Sequence, residues 1–301
     1  MRGIERVYAG ILNQEYTLES AQPLTFHSDY YRDESTLVYV TGRSIVEARF
    51  FGDTEDKRIE ARCNGRRIDL KDEIRRRFRL GDDIDELYRR INTDKMISDA
   101  IDRYRGMRVT LNEPWETTLC FIVSQFNNVK RIRGIVRKII DNFGEEIYGP
   151  DGKVFHTFPQ ADVIRELKVD DIMRCGAGFR ARYIRSAAEY CTDNIDLNRL
   201  NGRSYEDIKS ELMQIEGVGD KVADCIALMG FGRFEAFPID VWIKRTVERM
   251  YFNGKARRVR EIHDFARERW GDTAGFAQQY IFWYGRNVMD RYNRSASQSS
   301  M

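Results

Sequence analysis

The sequence predicts an α+β protein, with an N-terminal antiparallel β-sheet domain followed by a mostly α-helical core. Three observations carry this expectation. Before Asp69 the chain holds short runs of β-branched and aromatic residues separated by glycine turns. From Asp69 onward the apolar residues recur at helical spacing, behind a series of Asp, Ser and Pro start signals. At 301 residues, 12% aromatic and 33% charged, the chain is globular and long enough to bury a substantial core.

Val7–Leu12, Thr36–Val40, Ser44–Phe50 and Arg58–Arg62 read as strands of one sheet, with Gly42, Gly52-Asp53 and Asn64-Gly65 supplying turns. Asp69–Phe78, Asp83–Ile91 and Asp94–Tyr104 read as helices. Pro114 opens another, with Leu119, Phe121, Ile122 and Val123 behind it, and Arg131–Phe143 continues helical. Tyr148–Gly152 is a turn. Ala161–Leu167, Asp170–Cys175 and Ala181–Asn194 are further helices. Ser204-Tyr205-Glu206-Asp207 is a capping-box signature. The last helices run from Arg260 to Trp270 and from Ala274 to Tyr292, and the polar tail Ser295–Ser300 is expected to fray. These readings divide the chain into a sheet domain with its following helices (1–108), a helical core (109–293) and a tail (294–301).

Composition excludes several classes. The formal net charge is only +2, so any surface for nucleic acid must be local. Five scattered cysteines, Cys63, Cys120, Cys175, Cys191 and Cys225, include no CxxC pair. Neither a metal nor another cofactor is expected, and the set suits a reducing compartment. No apolar run follows Met1–Glu5 as in a secretory signal, and none reaches transmembrane length. An intracellular protein with no membrane partner is expected, cytoplasmic in a prokaryote or nuclear in a eukaryote.

The most informative stretch runs from Leu212 to Arg245. Gly217-Val218-Gly219 between two helical patterns reads as a helix-hairpin-helix, spanning about 204–230. The tight turn asks for glycine because the backbone must take positive φ and approach a ligand without a Cβ in the way. The amides opening the second helix favour an anion, such as a backbone phosphate. Lys221 falls on the first turn of that helix, where the dipole and partial burial disfavour its charged form. A neutral amine can attack an electrophilic sugar carbon and form a Schiff base. Asp240 opens the next helix, where a carboxylate can stabilise an oxocarbenium-like centre or move protons. Each residue also has a simpler reading: Lys221 as a phosphate contact, Asp240 as an N-cap, and Cys225, one turn beyond Lys221, as a small core residue.

The segments GVGDKVADCIALM and FPIDVWIKR resemble the helix-hairpin-helix DNA glycosylase superfamily, and within it the 8-oxoguanine DNA glycosylase branch. Three further blocks carry the resemblance: Phe121–Ile132, Cys175–Tyr183 and Ala274–Gln278. The resemblance implies an N-terminal sheet domain followed by a helical glycosylase core. It implies excision of 8-oxoguanine from double-stranded DNA and strand cleavage at the abasic site, by a monomer.

Roles follow position by position. The resemblance implies that Lys221 is the nucleophile and Asp240 the essential carboxylate. Cys225 and Phe282 match the two sides of a sandwich around the flipped base, and Gln278 matches the reader of its Watson–Crick edge. Asn127, Asn128 and Arg131 match positions near the orphaned partner base and the strand gap. Phe179 matches a wedge, and Arg180 a contact to the orphaned cytosine. Outside the resemblance, Phe179 and Phe282 read as core aromatics, Gln278 as a surface helix residue, Asn127-Asn128 as a loop or cap, and Arg180 as part of a solvated face.

Three departures stand out. Phe126 occupies the place of the first of three asparagines; its ring can wedge but cannot hydrogen-bond a base. Trp242 replaces a histidine that contacts phosphate, and an indole donates one bond without charge. Ala21 replaces a glycine whose carbonyl accepts from N7–H of 8-oxoguanine, a bond that asks nothing of the side chain. The alternatives are a glycosylase for another damaged base, such as an alkylated purine, and a non-catalytic DNA-binding helix-hairpin-helix protein. Lys221 counts against the alkylated-base branch, and the absence of a cysteine cluster counts against the iron–sulfur branch.

Overall fold

A computed structural model describes residues 4–20, 22–31, 34–150 and 152–289. Ala21 and the expected polar tail lie outside the described residues. The chain forms two units. The first is Met1–Gly81 with Gly106–Gly232; the second is Asp82–Arg105 with Arg233–Met301. The sheet and the helices between Gly106 and Gly232 share one unit; the sequence reading divides the chain at 108/109.

In the first unit, β1 (Glu5–Gly10), β2 (Asp29–Tyr31), β3 (Thr36–Thr41), β4 (Ser44–Phe51) and β5 (Lys57–Gly65) form a five-stranded sheet in the order β1-β5-β4-β3-β2. Neighbouring strands are antiparallel, as expected. The register aligns Val7 with Ile59, Phe50 with Ile59, Ala48 with Ala61, Leu37 with Ala48 and Tyr39 with Val46. Period-2 alternation thus places one apolar set on one face, where it packs with Leu70 and Ile74 of α3 (Leu70–Arg77) and with its C-cap residue Phe78. Asn64-Gly65 does not form a turn. It ends β5, and Gly65 has φ +106 and a Cβ there would stand 2.3 Å from the Arg43 carbonyl oxygen, so both conformation and space ask for glycine.

Two short helices, α1 (Gln14–Ser20) and α2 (Gln22–His27), precede β2 and were not legible as elements. The helices α6 (Pro114–Ser124) and α7 (Val129–Phe143) come next in this unit, followed by a hairpin of β6 (Glu146–Tyr148) and β7 (Val154–His156) around the expected 148–152 turn. Beyond it lie α8 (Ala161–Arg165), α9 (Val169–Ile172), a π-helical turn (Met173–Ala177), α10 (Arg180–Asp193), α11 (Tyr205–Leu212) and α12 (Asp220–Gly230). Every residue from Pro114 to Val123 is buried, so α6 is the central helix of this part.

A buried ionic cluster joins sheet to helices. Arg77 is 1% exposed and donates from Nε to Glu73 Oε1 at 2.9 Å. Tyr39 on β3 donates to the same oxygen at 3.2 Å, and Arg76 bridges Glu73 and Glu113 at 2.7 Å each. Burial alone would raise the Glu73 carboxyl, but Arg77 and Arg76 outweigh it and hold it below the usual range.

The second unit holds α4 (Ile84–Ile91), α5 (Lys95–Arg103), α13 (Val241–Tyr251), α14 (Val259–Trp270) and α15 (Ala274–Tyr284), which continues into a π-helical turn at Gly285–Met289. Ala274 through Ile281 are buried, making α15 the centre of this unit. Trp270 stacks on Phe237 with ring centroids 6.0 Å apart, and Arg269 pairs with Asp94 at 2.7 Å. Among the described residues no helix is long and apolar enough to cross a membrane.

Candidate active site

The hairpin begins at α11, where Ser204 Oγ accepts from Asp207 N at 3.1 Å and caps the helix as its signature predicts. After α11 the Val218 amide bonds the Ile215 carbonyl at 3.0 Å, closing a tight turn with Gly217 at its third position. Gly217 has φ +83, and a Cβ there would stand 2.6 Å from the Tyr183 ring. Gln125, at the end of α6, donates from Nε2 to the Gly217 carbonyl at 2.9 Å and fixes the turn from below.

Gly219 differs from Gly217. Its φ of −90° and ψ of 179° are open to any residue, so positive φ does not explain it. Nothing lies within 4 Å of where its Cβ would be. It is the N-cap of α12, and no side chain caps that helix. The leading amides of α12 are therefore available to an anion, and a bare backbone at Gly219 lets one come close.

Lys221 stands in the first turn of α12, half-buried, with Nζ 5.6 Å from the centroid of the Phe121 ring. Cys225 follows one turn later on the same face and is 6% exposed. The orientation of α12 is set by a charged cluster on its other side. Lys209 Nζ lies 2.8 Å from both Asp220 Oδ1 and Asp224 Oδ1, and Tyr205 donates to Asp224 Oδ1 at 2.6 Å. Asp224 is fully buried. Burial alone would lower the Lys209 ammonium, but Asp224 and Asp220 outweigh it and hold it above its ordinary range. The sequence reading did not pick out this latch between α11 and α12. Its signal was an aspartate inside the apolar run of Val222–Met229.

The turn after α6 holds the next group. Phe126 has φ +47 and is 93% exposed. Asn127 Nδ2 donates to the Val123 carbonyl at 3.2 Å. Asn128 is the N-cap of α7, its Oδ1 accepting from the Arg131 amide at 3.0 Å, while the Arg131 side chain is exposed. Arg180 is not part of a solvated face: it is 4% exposed. Its Nε donates to the Gln125 carbonyl at 2.7 Å, Nη2 to the Phe126 carbonyl at 3.0 Å and also to that of Gln125, and Nη1 to the Ala177 carbonyl at 3.4 Å. Four of the five guanidinium N–H groups are thus engaged with backbone. Burial and the neighbouring Arg131 pull Arg180 below the usual guanidinium range, yet an arginine remains charged at neutral pH. Phe179 is 54% exposed, not a core aromatic, and its ring lies 4.4 Å from the Arg180 guanidinium.

In the second unit, Asp240 is the N-cap of α13, with Oδ1 accepting from the Ile243 amide at 2.7 Å. The capping role uses Oδ1 and leaves the carboxylate half-buried. Trp242 is 39% exposed on the first turn of α13. Gln278 is buried, not a surface residue: its Nε2 donates to the Pro238 carbonyl at 2.9 Å and its Oε1 accepts from Gln279 at 2.6 Å. A carboxamide offers two N–H groups and two lone pairs, so one of each remains. Phe282 is half-buried, perpendicular to Trp283 at 5.8 Å. The first unit therefore brings together Gly217, Gly219, Lys221 and Cys225 with the Phe126–Arg131 and Phe179-Arg180 segments. The second carries Asp240, Trp242, Gln278 and Phe282.

Residues 119–272 match the model of the HhH-GPD superfamily base excision DNA repair protein. A probable N-glycosylase/DNA lyase of Methanothermobacter thermautotrophicus is 32% identical over 244 residues, 74% of this chain and 77% of that protein. The N-glycosylase/DNA lyase of Saccharomyces cerevisiae is 30% identical over 71% of this chain and 66% of its own length. Among solved structures, MBOgg1 in complex with a low affinity DNA ligand superposes with a TM-score of 0.86 at 34% identity, covering 96% of this chain and 97% of that one. The Clostridium acetobutylicum 8-oxoguanine glycosylase/lyase, bound to duplex DNA with cytosine opposite 8-oxoG, gives 0.82 at 26% identity, covering 95% and 98%. The chain belongs to the HhH-GPD superfamily of base excision DNA repair proteins.

Proposed function

We propose that this protein is a bifunctional DNA glycosylase that removes 8-oxoguanine from duplex DNA and then cleaves the abasic strand. One observation carries the reading: the half-buried Lys221 sits on the first turn of a helix without a side-chain cap, two residues after an open Gly219. That arrangement supplies a phosphate clamp and an amine within one turn of each other. The relatives named N-glycosylase/DNA lyase and the 8-oxoguanine glycosylase structure support the substrate.

The damaged nucleotide leaves the stack, since its sugar cannot be reached inside a duplex. The Lys221 amine attacks C1′ as the bond to the base breaks, and the base departs with its electron pair and takes up a proton. The Asp240 carboxylate stabilises positive charge at C1′. The amine gives up its protons, one of them to O4′ as the C1′–O4′ bond breaks, and the resulting ring-opened Schiff base, protonated to the iminium, acts as an electron sink: a proton leaves C2′ and the C3′–O bond breaks with the 3′ phosphate as leaving group, which cleaves the strand. Cys225 and Phe282 hold the flipped base, and Gln278 reads its edge with the N–H and lone pair left over from its internal bonds. The Ala21 carbonyl accepts from N7–H. Gly217, Gly219, Asn127, Asn128, Arg131, Phe179 and Trp242 form the DNA-binding surface, with Arg180 beneath it.

The test is borohydride trapping on a duplex holding 8-oxoguanine opposite cytosine. The unaltered protein is expected to form a covalent adduct and release the base. Lys221→Gln is expected to lose the adduct while still binding DNA, and Asp240→Asn to lose base release. Binding with neither adduct nor base release by the unaltered protein contradicts the reading.

A further inference from the structure

We propose that the solvent face of the five-stranded sheet is a binding site for single-stranded DNA, with Tyr8 and Phe51 stacking on bases and Arg49 and Arg58 taking the phosphates. The inference goes beyond the glycosylase reading and does not rest on it.

The alternation that turns one apolar set of the sheet inward turns a second set outward. Three neighbouring strands supply that set in two cross-strand rows. Tyr8 of β1 faces Arg58 of β5, which faces Phe51 of β4. Two residues along the strands, Arg6 faces Glu60, which faces Arg49. These six residues line an open cleft of about 720 Å³. Sites for small ligands span about 300–1,000 Å³. Tyr8 is 64% exposed on the edge strand β1.

The cleft carries three guanidinium groups against one carboxylate. Glu60 is already answered by Arg6, whose Nε donates to it at 2.8 Å. Arg58 pairs with Asp56, outside the lining, at 3.0 Å. Such an exposed pair is weak and a phosphate can displace it. Arg49 forms no ion pair among the described residues, and its guanidinium lies 5.1 Å from the centroid of the Phe51 ring. The cleft is therefore set for an anion that also offers flat apolar faces.

A DNA strand outside a duplex has both features: free base faces and one phosphate per nucleotide. In a duplex the base faces are hidden in the stack, and the two rings would go unused. An acidic peptide would meet the arginines and leave the rings idle. With strands about 4.8 Å apart, Tyr8 and Phe51 stand about 10 Å apart with Arg58 between them. The rings thus take two bases of one strand and the guanidinium the backbone that joins them. Stacking accepts any base, so the site has no sequence preference. A member of a DNA repair superfamily meets such strands wherever a duplex is gapped or unwound.

The experiment is a fluorescence-anisotropy titration of a short labelled oligothymidylate with the full-length protein. It is run alone and with a saturating duplex that carries an abasic-site analogue, which fills the hairpin surface. The oligonucleotide is expected to bind equally in both. Tyr8→Ala combined with Arg49→Ala is expected to weaken oligonucleotide binding about tenfold or more, while affinity for the abasic duplex stays within about twofold. Tyr8→Phe keeps the ring and the affinity. Arg49→Ala alone lowers the salt slope of oligonucleotide binding by about 0.7. Both side chains are exposed, so no core packing is lost, and an unchanged thermal midpoint checks the fold. Failure of the unaltered protein to bind the oligonucleotide overturns the inference. So does its displacement by the abasic duplex, or undiminished binding by the double variant. Tighter binding of polyglutamate or of the matching oligouridylate overturns the assignment to DNA. No readout uses excision, so a failure of the glycosylase reading leaves these outcomes intact.

Discussion

Gln125 Nε2 donates to the Gly217 carbonyl at 2.9 Å, joining the end of the central helix α6 to the turn of the hairpin. The same Gln125 gives its own carbonyl to Arg180. One residue thus connects the turn that carries Lys221 with the turn that displays Phe126. Gln125→Ala removes a single side-chain bond, worth about 1 kcal/mol. The expected result is a thermal midpoint lowered by only a few degrees, with DNA affinity lowered about fivefold or more as the hairpin loosens. Calorimetry and a DNA titration on one preparation separate the two effects.

The two hairpin glycines should respond oppositely to alanine. At Gly217 the methyl group meets the Tyr183 ring and the backbone must keep positive φ, so a loss of about 2–4 kcal/mol is expected. At Gly219 the backbone is extended and the space empty, so stability should change by no more than about 1 kcal/mol, while DNA affinity falls because the methyl group stands where a phosphate approaches. Urea denaturation and DNA binding of both variants check this. Equal stability losses at the two sites would contradict it.

Asp224 holds Lys209 and Tyr205 with a fully buried carboxylate. Asp224→Asn leaves Lys209 paired only with the more exposed Asp220 and is expected to cost about 1–3 kcal/mol in urea. Asp224→Asn combined with Lys209→Met should recover part of the loss, since the half-buried ammonium that lost its buried counter-charge is then gone. A double variant no more stable than the single would argue against the latch.

The Glu73 cluster predicts a pH dependence. Its carboxyl is lower in the folded chain than in the unfolded one, because Arg77 and Arg76 outweigh burial. A group lowered on folding stabilises fully above its unfolded value and loses that contribution as pH falls through the folded value. The stability gap between the unaltered protein and Glu73→Gln should be largest above about pH 5 and shrink below about pH 4. Denaturation curves across that range measure it.

The elements with strong local signals were legible in the sequence. Alternation marked β3, β4 and β5, and aspartate N-caps marked α3, α4, α5 and α13, because these patterns depend on neighbours in the chain. The short α1 and α2, the edge strand β2 and the β6–β7 hairpin carry too few residues to show a period. Among site residues, the hairpin and Lys221 followed from Gly-x-Gly and its helix. Arg180 and Gln278 were illegible as buried groups because their partners, Gln125 and Pro238, lie 55 and 40 residues away. A charge run or a glutamine on a helix reads as solvated until the tertiary partner is known. Of the two hairpin glycines expected to take positive φ, Gly217 does and Gly219, whose backbone is extended, does not.

The most direct test of the account is to map the borohydride-trapped adduct. The protein would be reduced on a duplex holding 8-oxoguanine opposite cytosine, digested, and the modified peptide sequenced by mass spectrometry. The account predicts a sugar remnant on the Lys221 side-chain nitrogen and on no other lysine. A remnant on a different amine, or none despite released 8-oxoguanine, would contradict Lys221 as the nucleophile.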